Sequence, residues 1–188
     1  LLKGLYWRRP KKTIVGDSER INPGKRPSIP RAPSWSWASV DTDIICWHND
    51  NDQEAFVDVI SCDIVLSGQN PFGEVSRGVL RLQGHLVEAN MFKPNAEQAQ
   101  RQYRLRLDDK EGYEFPRWQA DEQDFWIPNV WCIPIRRPVY ADDRLYNRFF
   151  GLVLVRTEVK ENEYRRVGLF DSDSEVIING ERREITII

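Results

Sequence analysis

The sequence is short of the residues that most often do chemistry. It has two histidines, His48 and His85, in 188 residues, which leaves little scope for an acid–base machine or a histidine-rich metal centre. Three cysteines, Cys46, Cys62 and Cys132, cannot all pair within one chain, and no Cys-x-x-Cys occurs. A disulfide framework and a zinc ribbon are thereby unsupported, and a reducing compartment fits best. No run approaches the ~18 apolar residues of a membrane-crossing helix, and no charged-then-apolar leader opens the chain. The expected address is cytoplasmic. Gly-x-Ser-x-Gly and Ser-x-x-Lys are missing, as are Gly-x-Gly-x-x-Gly and the phosphate-binding P-loop, so neither a serine nucleophile nor a nucleotide cradle has its usual local setting. No cofactor and no metal are expected, and no internal repeat is found.

What is present is a real core and an uneven distribution of charge. The 40% hydrophobic and 30% charged fractions suit a folded chain, and the length suits one domain with some extra chain. Residues 1–33 hold nine Lys or Arg against two acids, +7, and the remainder holds 18 against 27, −9, which sums to the overall −2. Two segments follow from this: residues 1–33, a helix remnant with a basic, Pro-rich arm, and residues 34–188, the folded body. Pro10, Pro23, Pro27, Pro30 and Pro33 predict an extended arm without sheet or helix. No groove-reading motif accompanies the arm, so it is expected to lie along the acidic body and not on nucleic acid. Leu1 to Trp7, with Leu2, Leu5 and Tyr6 on one side, reads as the end of a helix that was cut, and the chain as a fragment or processed product.

From Ser34 onward the pattern is strand after strand. Ser34 to Val40 alternates large and small, which predicts a strand with Trp35 and Trp37 on one face. Further strands are predicted at Phe56–Leu66, Val79–Val87, Tyr103–Leu107, Val130–Ile135, Phe149–Thr157, Glu163–Phe170 and Glu184–Ile188, with one helical stretch at Ala96–Gln102. The fold class is all-β: an antiparallel barrel-like or sandwich sheet of roughly eight strands, with a short N-terminal helix.

Arg31-Ala32-Pro33-Ser34-Trp35-Ser36-Trp37-Ala38-Ser39-Val40-Asp41 resembles the segment that follows the HET domain in many fungal heterokaryon-incompatibility (HET) proteins. Asn70 to Gly84 and Tyr164-Arg165-Arg166-Val167-Gly168-Leu169-Phe170 are similar to the same region in the same order, and Gly4-Leu5-Tyr6-Trp7-Arg8 looks like the helix end before it. The resemblance implies the C-terminal β-rich region of a fungal protein of non-self recognition and programmed cell death. Its partner would be the N-terminal HET domain of the parent protein, or another protein. The HET domain itself is absent from these residues, so its effector activity cannot be assigned to them.

The site residues must be argued from the sequence. Trp35 and Trp37 form either core or an aromatic platform for a ligand. Trp118, Trp126 and Trp131 lie in a Glu114–Pro134 segment that reads as a rim or lid. His48, beside Asp50 and Asp52, and His85, opposite a leucine face, are surface or structural residues in one reading. In the other, one of them pairs with a carboxylate in an apolar cavity. Two functions therefore compete: a non-enzymatic recognition or regulatory module, with a possible small-molecule ligand, and a β-barrel enzyme acting on a small hydrophobic substrate. The first leads, because no catalytic motif is assembled. Neither nucleic acid nor membrane is expected as a partner.

Overall fold

The computed structural model describes residues 2–8, 13–15, 18–20, 24–46, 53–70, 74–92, 104–107, 117–121, 127–138 and 148–188. In chain order the strands are β1 (Trp7–Arg8), β2 (Thr13–Val15), β3 (Ser18–Arg20), β4 (Ile45–Cys46), β5 (Gln53–Ala55), β6 (Val57–Leu66), β7 (Val75–Phe92), β8 (Arg104–Leu107), β9 (Arg117–Ala120), β10 (Asn129–Pro138), β11 (Phe149–Arg156), β12 (Glu163–Ser172) and β13 (Glu181–Ile187). The body is mostly β, as its alternating pattern predicts.

The main sheet runs β5-β10-β11-β12-β13-β7-β6, with β8 on β7 and β9 on β12. One further pairing, Asn129–Cys132 of β10 against Val87–Asn90 of β7, returns the path to itself through β10, β11, β12, β13 and β7. A circuit of five strands cannot alternate direction all the way round. The break falls between β12 and β13, which pair parallel at Glu163↔Thr186 and Tyr164↔Ile187. The sheet is therefore mixed, which corrects the expectation of a purely antiparallel one.

β7 is long enough to serve two cores. Leu80, Leu82 and Leu86 face a cluster with Ile133, Ile135, Leu152, Leu154 and Ile185. Farther along, Ala89 and Met91 enter a second cluster with Leu105, Leu107, Val130, Cys132 and Val153. β11 separates the two and is buried from Phe149 to Val155, so it reads as a continuous apolar run. The solvent face carries ion pairs between strands, Arg81 of β7 to Glu184 of its neighbour β13 and, across β7, Arg182 of β13 to Asp58 of β6.

Three local expectations are corrected. The N-terminal helix is one 3₁₀ turn, Leu2–Leu5, after which Trp7 enters β1 and pairs with Cys46. Leu5, Tyr6 and Trp7 are buried in the body, and Tyr6 meets Phe150 edge-on at 5.4 Å under the Arg136 guanidinium. Burial, with Asp171 nearby, pushes the Tyr6 phenol well above its ordinary value. The basic arm is not sheet-free, since β2 and β3 form an antiparallel hairpin with Val15 opposite Ser18. Residues Trp37–Ser39 are a 3₁₀ turn and not part of a strand, because the Ser36 hydroxyl accepts from the Ala38 N–H and caps the turn. Within the Glu114–Pro134 segment, β9 and β10 are strands of the sheet. The helix expected at Ala96–Gln102 lies outside the described residues. Among the described residues no helix is long and apolar enough to cross a membrane.

Candidate functional site

Among the described residues a fully buried polar arrangement is built on Arg166. Arg166 pairs with Leu154 of the buried β11, β9 pairs along the other edge of β12 at residues 168–171, and the side chain has no exposure. A guanidinium there must find partners for its five N–H groups or forfeit several kcal/mol. Nε donates to Asp121 Oδ2 and Nη2 to Asp121 Oδ1, each at 3.0 Å, in a bidentate fork. Nη1 donates to the Leu5 carbonyl at 2.6 Å and Nη2 to the Trp7 carbonyl at 2.7 Å. The guanidinium carbon lies 3.6 Å from the centre of the Trp7 ring, a stacked cation–π contact. Burial pulls the Arg166 pKa down and Asp121 works against that pull; the guanidinium keeps its proton.

Asp121 follows β9 and is fixed by its own N–H donating to the Val167 carbonyl at 2.8 Å. Arg26 reaches the same carboxylate at 3.4 Å and donates to the Arg166 carbonyl at 2.8 Å. A basic side chain of the Pro-rich arm is thus bound inside the body. Arg31 is also satisfied locally, by Asp41 at 2.7 Å and by the Ala38 and Val40 carbonyls. Ser34 completes the junction. Its Oγ accepts from the Arg166 N–H at 3.0 Å and donates to the Ile188 carbonyl, while its N–H donates to that carbonyl at 3.0 Å.

Beside this junction is a half-open cleft of about 380 Å³. One wall is the arm, with Pro27, Pro30, Ala32 and Pro33, and the other is the start of β7, with Val75 and Gly78. The two walls meet where a Cβ on Gly78 would overlap Pro33 Cγ, so glycine is needed for the close approach. Among the described residues Arg26, Arg77 and Arg165 contribute to the lining and no Asp or Glu does. Ser34, Ser39 and Ser76 also line it, their hydroxyls already donating to the Ile188, Ser34 and Val65 carbonyls. An apolar cleft of this volume bordered by arginine residues is suited to a small ligand with an apolar body and an anionic end.

Those of the residues singled out from the sequence that are described have separate local roles. Trp35 is buried in the core and its carbonyl accepts from Trp7 Nε1 at 3.0 Å, while Trp37 is 56 % exposed. The shared aromatic face expected of them is corrected by the 3₁₀ turn. Replacing Trp37 with alanine is expected to change unfolding free energy by no more than about 0.5 kcal/mol, measured by urea titration. Trp131 is half-buried against Tyr164, ring centres 5.8 Å apart, with the Arg156 guanidinium 5.1 Å above it. Trp118 lies on β9 opposite Phe170. His48 and Trp126 lie outside the described residues.

His85 Nδ1 lies 2.8 Å from the Gly180 carbonyl, so in that tautomer the imidazole donates an N–H and holds the approach to β13. This partner is a main-chain oxygen and not a carboxylate. Among the described residues no group of three or more His, Cys, Asp or Glu side chains could hold a metal ion.

Sequence reasoning missed Arg166, Asp121 and the cleft. One signal was available: in Tyr164–Phe170 two consecutive arginines, Arg165 and Arg166, stand inside an otherwise apolar run, and a strand buried on both faces must pair the one that points inward. Its partner, 45 residues away, carried no comparable mark. Compared with protein-family models, with curated proteins and with solved structures, the chain matches none.

Proposed function

We propose that this chain is a non-enzymatic recognition module whose ligand site is the cleft between the Pro-rich arm and the start of β7. The observation that carries the reading is the cleft itself: apolar walls, three arginines and, among the described residues, no acidic one. The ligand is a small amphipathic anion, its apolar part against the prolines and its charge toward Arg77 and Arg165. In this reading the five-strand circuit is a small barrel and the arm is a strap closed over its end.

The resemblance to HET proteins supports the same place. The four stretches that carry it supply Leu5 and Trp7, Pro33 and Ser34, Gly78, and Arg165 and Arg166, which all meet at the junction or the cleft. As part of a cytoplasmic fungal HET protein of non-self recognition, the module would report ligand occupancy to an attached HET domain through the strap.

The test is a titration followed by intrinsic tryptophan fluorescence and calorimetry, with decanoate and decyl phosphate as probes and decylamine as the cationic control. Saturable binding of the anions is expected, weakened at least about tenfold by Arg77→Glu. Equal binding of decylamine, or anion binding untouched by Arg77→Glu and Arg165→Glu, would remove the cleft from consideration.

A further inference from the structure

β6 is the last strand on its side of the sheet path, and its pairings among the described residues are all with β7. Its other edge offers N–H and C=O groups to any strand that arrives. The side chains along it are unusual for such an edge: Val59, Ile60, Ile64 and Val65 are between 40 and 53 % exposed. These four are half of the exposed large hydrophobics among the described residues, and they are gathered on one seven-residue stretch.

The stretch has a symmetry of its own. Val59-Ile60-Ser61-Cys62-Asp63-Ile64-Val65 reads the same in both directions around Cys62, apart from Ser61 and Asp63. An antiparallel pair of identical strands related by a two-fold axis needs such a pattern. We propose that β6 pairs antiparallel with β6 of a second copy of this chain, about an axis passing at Cys62.

In that register Val59 lies opposite Val65 of the second copy, and Ile60 opposite Ile64, so the four exposed apolar side chains of each copy cover one another. The one asymmetric position is also complementary. Ser61 stands opposite Asp63, so each carboxylate faces a hydroxyl, and within one chain the Ser61 hydroxyl already donates to Asp63 Oδ2 at 3.1 Å. A register that set Asp58 against Asp63 would place carboxylates directly opposite, which is unfavourable. The ladder irregularity between Val59 and Ser61 places Ile60 outside the β7 pairing, and both Val59 and Ile60 are open to solvent. A seam of one strand is smaller than a standard interface, so the dimer dissociates on the order of micromolar.

This inference is independent of the cleft. The 188-residue chain carrying Cys46→Ser is examined by sedimentation equilibrium over a range of concentrations, and Cys62 is cross-linked with a short bismaleimide. A reversible dimer and a Cys62–Cys62 product are expected. Val65→Lys and Ile64→Lys, checked for native circular dichroism, are each expected to weaken association at least about tenfold by burying an unpaired ammonium. The register has its own test: the Ser61→Cys, Cys62→Ser chain mixed with the Asp63→Cys, Cys62→Ser chain is expected to give a mixed cross-link in preference to either self-product. A monomer at all concentrations, a dimer indifferent to both lysines, or preferential self-products in the mixing experiment would each overturn the proposal.

Discussion

Exchanging Asp121 for asparagine is expected to cost about 3–5 kcal/mol of folding stability, read as a shift in the urea midpoint at unchanged slope. The change keeps the volume of the side chain and removes its charge. Arg166, which has no exposure, would keep its full charge with no anion beside it, and Arg26 would lose the same carboxylate. An amide also offers one acceptor oxygen where two are engaged, and turns an NH₂ toward guanidinium donors. Domains of this size have about 5–15 kcal/mol in total, so the loss is a large fraction. Because Arg166 also binds the Leu5 and Trp7 carbonyls, the N-terminal segment should loosen with it, visible as a change in tryptophan emission. The double replacement Arg166→Met, Asp121→Leu is expected to be less destabilised than either single change, since it removes both members of the buried Arg166–Asp121 pair together. A loss below about 1 kcal/mol for Asp121→Asn would mean that the charge pair is not what holds this junction.

The sheet was legible where side-chain alternation met burial. Strands expected at Val79–Val87, Val130–Ile135, Phe149–Thr157 and Glu163–Phe170 correspond to β7, β10, β11 and β12, because short alternating or continuous apolar runs rich in β-branched residues have few other stable placements. The direction of pairing was not legible. Alternation is the same in parallel and antiparallel strands, and only the closing of an odd circuit forces β12 and β13 to run together. Ser34–Val40 shows the opposite failure. Its large–small alternation is real, but serines compete for the backbone N–H groups, and the Ser36 cap produces a turn that sends Trp35 inward and Trp37 outward. Thr13-Ile14-Val15 followed after two residues by Ser18-Glu19-Arg20 is a hairpin pattern; the prolines flanking it drew attention from it.

The candidate site was less legible than the fold because its parts are scattered. Aromatic and imidazole side chains attract attention in a sequence, yet Trp35, Trp131 and His85 are occupied in packing and main-chain contacts. The cleft depends instead on proline and glycine, which mark a site only through what they allow to come close. Gly78 permits Pro33 to rest on β7, and Arg26 is brought inside by a carboxylate nearly a hundred positions later. The charge split between arm and body pointed in the right direction for Arg26 but gave no address. An electrostatic sum names two regions and no pair of atoms.

Gly151→Ala is expected to destabilise the chain by about 3 kcal/mol or more, at the upper end of what overpacking a core costs. Gly151 lies in the middle of β11, opposite Pro134 of β10 on one side and Phe170 of β12 on the other. A Cβ there would run into the Ile133 carbonyl oxygen and come within 2.5 Å of the Phe170 ring. The first of these is backbone, and it lies beside the register shift between Pro134 and Arg136, where proline offers no N–H to re-form a displaced ladder. The second is a fully packed aromatic whose neighbours are themselves buried, so the ring has little room to turn. The strand must therefore move as a unit, carrying Leu152 and Val153 out of the two cores they fill. Thermal unfolding followed by circular dichroism measures this, with Gly68→Ala as the control: a Cβ on Gly68 meets nothing within 4 Å, and that variant should stay close to the parent. If Gly151→Ala unfolds within a degree or two of Gly68→Ala, then β11 does not lie as closely against β10 and Phe170 as the two-core arrangement requires.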